Sequence, residues 1–110
     1  MAKFSDRRNL DIGQVSATRE IARLGESKRY LLVEIGVPQQ FEDEPRDWYC
    51  VYRISGPDHH RRFASCGIDG VQALQLAVAA VGAELLAINK KLGGTLRWLD
   101  QKDLGFPIPS

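Results

Sequence analysis

The clearest hydrophobic pattern in the chain is a set of apolar residues at alternating spacings of three and four: Val71, Leu74, Val78, Val81, Leu85, Ile88 and Leu92. At 3.6 residues per turn these positions line up as one continuous helical seam. Asp69 followed three residues later by Gln72 has the form of a capping box, and Gly93-Gly94 suits a left-handed close, so one helix is expected between them. Beside the seam, Ala73, Leu76, Ala77, Ala80, Ala83, Leu86 and Ala87 widen the apolar stripe past what a half-exposed helix needs. Something else is expected to cover that flank, either the segment 95–109 folding back or a second copy of the chain.

Upstream of the helix the period changes to two. In "KRYLLVEIGVPQ" the residues Leu31, Val33, Ile35 and Val37 fall on one strand face, and Pro38 ends the ladder. After the acidic loop "FEDEPRD", the run "WYCVYRIS" places Trp48, Cys50, Tyr52 and Ile54 on one face and Tyr49, Val51 and Arg53 on the other. The turn "GPDHH" and the returning "RRFASCGI" make 47–55 and 61–68 a hairpin. A register symmetric about Asp58 sets Tyr52 opposite Ala64, Cys50 opposite Cys66 and Arg53 opposite Phe63, with both cysteines on one face. "QVSATREIARLG" satisfies two patterns: its Ala, Arg, Glu and Leu content leans toward helix, while Val15, Ala17 and Ile21 permit a strand. Residues 1–13 are polar and without period, which predicts a flexible arm ahead of a single domain over 14–110. At the other end Leu96, Trp98, Leu99, Leu104, Phe106 and Ile108 are apolar teeth on a proline-bearing segment expected to dock as an extended strap.

The stretches "DWYCVYRISG", "CGIDGVQALQLAV" and "LRWLDQKDLGFPIP" together resemble a family of small bacterial domains of unknown function. In that family a W-x-C hairpin precedes G-x-D-x-x-Q-A-L and a closing tryptophan with G-F-P. The resemblance covers residues 15–109 and implies a β-β-β-β-α order, which makes "VSATREIARL" a strand. It transfers no activity and no catalytic residue. The expected fold is α+β: a four-stranded antiparallel meander packed on one long helix, with an extended C-terminal segment.

Composition adds exclusions. Hydrophobic residues are 44% and charged residues 26%, with 15 Lys and Arg against 14 Asp and Glu, so no global field draws in a polyanion. The most apolar segment, 71–88, is broken by Gln72, Gln75 and Glu84, and the first residues hold no apolar run of signal-peptide length; a cytoplasmic chain with no membrane partner is expected. Cys50 and Cys66 have no Cys or His at ligand spacing, and the two histidines, His59 and His60, sit together in the turn, so core thiols are expected and neither metal nor cofactor. The chain holds no G-x-S-x-G, no glycine-rich phosphate loop and no H-E-x-x-H, and no catalytic residue is nominated.

Two surfaces remain as candidates for contact. Under the symmetric register Tyr30, Leu32, Tyr49, Val51, Arg53, Arg61 and Phe63 gather on the outer sheet face; the helix flank offers Leu76 and Ala80. A single-stranded nucleic acid could stack on Tyr49 and Phe63 with Arg53 and Arg61 at its phosphates. A second copy or another protein could bury either surface instead, and a net charge of +1 favours this reading. The expected function is a non-catalytic protein-interaction or regulatory domain that self-associates as a homodimer or binds a protein partner, an immunity-type accessory being one form it could take. Nucleic-acid binding is the alternative.

Overall fold

Four long strands carry the period-two segments, in the expected order and all antiparallel. They are β1 (Val15–Arg23), β2 (Arg29–Gly36), β4 (Trp48–Gly56) and β5 (His59–Gly67). The computed structural model describes residues 10–43 and 46–107. Two short strands, β3 (Gln39–Gln40) and β6 (Leu96–Arg97), raise the sheet to six strands rather than the expected four. Each takes an edge left unpaired: β3 continues the direction of β2 past Pro38 along the edge of β4, and β6 takes the outer edge of β1. The segment that propensity leaned toward helix is β1, paired with β2 on one side and β6 on the other. Pairing on both edges outweighs weak local preference.

Helix α1 (Gly70–Lys91) begins and ends as its caps require. Asp69 Oδ1 accepts from the amide of Gln72 at 2.8 Å, and Gln72 Oε1 reaches back to the amide of Ile68 at 2.8 Å. At the other end Gly93 and Gly94 take positive φ, 71° and 77°, and the Gly94 amide donates to Asn89 O at 2.8 Å.

The core lies between α1 and one sheet face. Ile21, Leu31, Val33, Ile35, Cys50, Tyr52 and Ile54 from the sheet meet Ala73, Ala77, Val81 and Leu85 from the helix, with Leu96 closing one side. The expected seam is therefore rotated. Val71 is 64% exposed, and the contact line runs through Ala73 and Ala77, which the sequence pattern placed on the flank. Alanines there let the helix axis come close to the sheet, while Leu74, Val78, Ile88 and Leu92 pack along the sides.

The hairpin register also differs from expectation. Cys50 opposes Ser65, Tyr52 opposes Phe63, Arg53 opposes Arg62 and Gly56 opposes His59, leaving a two-residue turn at Pro57-Asp58. Relative to a hairpin centred on Asp58 this is a slip of one residue, and a one-residue slip sends every β5 side chain to the other face. Arg61 and Phe63 thus join the helix side, and Cys66 lies on the face opposite Cys50.

On that opposite face a second, smaller core forms from Ile12, Val51 and Ala64, with Leu10, Val15 and Tyr49 packed against it. Of the expected N-terminal arm, residues 1–9 lie outside the described residues, while Ile12 is buried. The C-terminal strap turns tightly at Trp98–Gln101, with Leu99 and Asp100 at φ 52° and 64°. It then crosses α1 at Gly82, where an added Cβ would stand 2.7 Å from Pro107 O and 3.0 Å from Phe106 Cβ. Ile108, the last expected tooth, is outside the described residues.

The rotated helix makes a paired prediction. Melted in dilute solution, Leu85→Ala should cost about 2–5 kcal/mol through lost burial and the cavity left behind, whereas Leu86→Ala, at a position 51% exposed in the single chain, should change stability by about 0.5 kcal/mol or less. Denaturant melts decide it, and equal losses at the two sites would show the helix set at another angle.

Candidate interaction surface

Between Gly70 and Asn89 the helix carries a single charged residue, Glu84, and that residue faces the sheet. Its Oε2 accepts from the Tyr52 hydroxyl and from Arg61 Nε, the latter at 2.8 Å. Tyr52 is 2% exposed; burial first, and the adjacent Glu84 carboxylate second, push its hydroxyl well above the ordinary tyrosine range. Arg61 is held fully cationic by its hydrogen bond to Glu84. The usual polarity of a surface helix is thereby inverted, with the charge inward and the outward side left neutral.

That outward side runs through Leu76, Ala79, Ala80, Ala83, Leu86 and Ala87, bounded by Gln72 and Gln75 at one end and Lys90 at the other. Leu76 is 45% exposed and Leu86 51%, and Ala80 is half-buried against the core. By length and composition α1 is apolar enough to cross a membrane, with a mean hydropathy of 1.8 over its most apolar 18 residues, but its other side is the core contact of this domain. Beside Gly82 and Leu86 the stripe continues into a mostly apolar groove of about 340 Å³, walled by Leu85, Leu104, Phe106 and Pro107 and lined also by Asn89, Lys102 and Asp103.

The outer sheet residues do not assemble as the symmetric register expected. Tyr49 packs onto the small core, its ring 4.7 Å from that of Phe41 and its hydroxyl donating to Gln39 Oε1 at 3.2 Å. Val51 is fully buried there. Arg53 is engaged by both carboxylate oxygens of Glu34, at 2.8 and 3.0 Å, and this pairing holds the Glu34 carboxyl below its usual range. Tyr30 packs against the main core with the Arg23 guanidinium 5.1 Å from its ring. Phe63 sits on the helix side under Arg61, 5.2 Å from its guanidinium. Tyr49 and Phe63 therefore lie on opposite faces of the sheet and offer no shared stacking platform.

Two residues with work to do were not singled out by pattern. Glu84 was visible as the lone carboxylate in an apolar helix, but its direction depends on the rotation of α1. Arg19 alternates onto the helix side of β1, where its guanidinium lies 3.8 Å from the Trp98 ring and 4.9 Å from that of Phe106. It also donates to Leu104 O at 3.0 Å, so one cation ties the strap to the sheet.

The chemistry on offer is modest. The Cys50 thiol is buried, donates to Gly36 O at 3.3 Å, and is pushed up to about 11 by burial, which leaves it protonated and unreactive at neutral pH. No three His, Cys, Asp or Glu side chains converge among the described residues. Compared with known families, residues 17–108 match Domain of unknown function (DUF6968), and the chain belongs to that family. No curated protein and no solved structure matches it.

Two measurements check this chemistry. Because the folded state raises the Tyr52 hydroxyl, its contribution is present in full below the unfolded value near 10 and is lost as pH climbs above it. Tyr52→Phe should therefore be less stable than the parent by about 1 kcal/mol at neutral pH, with the gap closing as melts are repeated above pH 10.0; a gap independent of pH would contradict the Glu84 contact. Alkylation of the native protein should modify half-buried Cys66 well before Cys50, with Cys50 reacting only on unfolding; fast native labelling of Cys50 would contradict its burial.

Proposed function

We propose that the domain is a non-catalytic protein-interaction module that self-associates as a homodimer through the outward face of α1. The observation that supports this reading is the inverted helix, whose one mid-helix charge is turned inward while Leu76 and Leu86 stand exposed on an uncharged surface. Contiguous apolar surface of this kind is seldom left open to water.

The pattern of the stripe favours a second copy as the cover. Read outward from position 81 it is nearly palindromic: Leu76 corresponds to Leu86, Ala79 to Ala83, and Gln72 to Lys90. Two antiparallel helices related by a two-fold axis at that level bring Leu76 of one copy level with Leu86 of the other, with alanines between them where the backbones must approach. The cationic end of each helix then meets the uncharged start of the other, so no like charges are opposed, and the helix dipoles run antiparallel. Such an interface needs about 800 Å² from each copy, roughly a tenth of the 6982 Å² the chain exposes. The groove between Leu86 and Phe106 extends the stripe sideways toward that area. A regulatory or immunity-type role would act through this assembled form.

Light scattering over a range of concentrations tests the proposal. The parent should weigh as a dimer that dissociates on dilution. Ala83→Glu, which places a charge on an exposed position of the stripe, should yield a monomer that melts with the parent in dilute solution and below it when both are concentrated, because an unpaired charge buried in the contact is costly and the dimer's added stability is lost. Tyr49→Lys on the sheet should leave the dimer intact. A parent that stays monomeric when concentrated, or a dimer that survives Ala83→Glu, would refute it.

A further inference from the structure

The groove beside Leu86 sits to one side of the outward stripe of α1. Its helix residues, Gly82, Leu85, Leu86 and Asn89, share the flank that the C-terminal strap crosses, and Leu104, Phe106 and Pro107 make the opposite wall. We infer that this groove receives Leu76 of a second copy, which makes the strap part of the contact between copies. The inference rests on the antiparallel pairing proposed above and adds to it a socket, the side chain that fills it and a role for the strap.

Helical phase delivers Leu76 to the groove. Leu76 and Leu86 are ten residues apart, which at 3.6 residues per turn falls about 80° short of three full turns. The two leucines therefore flank the stripe, Leu86 on the strap side and Leu76 on the other, with Ala79 and Ala83 between them. A two-fold axis crossing the helix at position 81 reverses the chain direction and exchanges the two flanks. It brings Leu76 of one copy to the level of Leu86 of the other and onto its strap side, over the mouth of the groove. Within one chain the two leucines are separated by about 15 Å along the helix and lie on different flanks, so Leu76 does not reach its own groove.

The chemistry of the groove fits an aliphatic side chain. It encloses about 340 Å³, and its polar lining is one amide, one cation and one anion: Asn89, Lys102 and Asp103. Lys102 and Asp103 cancel, so the rim selects no ion, while the walls are apolar. From Gly70 to Ala83 the helix carries no charge, and the surface that approaches brings no ion to be stripped of water. Area points the same way. Two leucines with alanines between them make a thin strip against the roughly 800 Å² that each copy must supply. Seating Leu76 beside Leu104 and Phe106, both only half-buried in the single chain, recruits the strap to that area.

Contacts between copies decide the assignment. Equal parts of isotopically labelled and unlabelled protein are mixed at high concentration, and NMR contacts that join one copy to the other are recorded. The Leu76 methyl groups should report on the Leu104 methyl groups and the Phe106 ring of the other copy. Association is followed in parallel by light scattering on dilution. Leu76→Ala and Leu104→Ala should each raise the dissociation constant roughly tenfold, and the two together scarcely more than either alone, because both remove the same contact. Leu104→Met, which keeps the wall apolar, should dimerise close to the parent. A dimer in which Leu76 touches no strap residue of the other copy, alanine effects that multiply, or a groove filled by residues 108–110 of the same chain would overturn the socket and leave the dimer standing. A parent that stays monomeric when concentrated would overturn both.

Discussion

Glu84 decides how the helix sits. A carboxylate in the middle of an otherwise neutral apolar helix must either face water or find donors, and here it finds two, the Tyr52 hydroxyl and Arg61 Nε. Turning it inward fixes the rotation of α1 about its axis. From that rotation follow the line of small residues pressed on the sheet, the uncharged stripe facing away from it, and the groove beside Leu86. The interaction is half-screened, with Glu84 at 19% and Arg61 at 50% side-chain exposure, so its weight lies in specificity of orientation more than in raw stability.

The remaining cover is arranged around that choice. With Ala73 and Ala77 at the contact, the helix lies close to the sheet and the large side chains Leu31, Val33, Ile54 and Leu85 fill the space between. The C-terminal strap comes closest to the helix backbone at Gly82 and is fastened to β1 by Arg19 stacked against Trp98 and Phe106. On the other side of the sheet, Ile12 closes over Val51 and Ala64. The described parts of both covering segments thus shield the sheet and one edge of the helix, and among the described residues Leu76 and Leu86 keep about half their surface exposed.

How much of this was legible in the sequence varies with how local the determinants are. The strand faces of 31–35 and 48–54, the helix limits at Asp69 and Gly93, and the α+β class follow from period and caps, which neighbouring residues set among themselves. The hairpin register does not, because "GPDHH" can be centred on one residue or on two, and the one-residue difference moved Phe63 and Arg61 to the far side and dissolved the expected aromatic platform. Helix rotation was misjudged for a related reason: alternating leucines and valines drew the seam through Val71, whereas the requirement for close approach and for partners to Glu84 turned it toward the alanines. Strands of two residues such as β3 and β6 carry no period at all and exist only because an edge was open beside them.

The rotational setting of α1 and the covering of its outer face can be read in one experiment. Single cysteines introduced as Leu76→Cys, Val81→Cys and Leu86→Cys are alkylated in the native protein, once dilute and once concentrated, with rates resolved by peptide mass. This setting of α1 predicts fast labelling at 76 and 86 in dilute solution, slowing as concentration rises, and slow labelling at 81 throughout. Slow labelling at 76 or 86 in dilute solution, or rates there that ignore concentration, would contradict it.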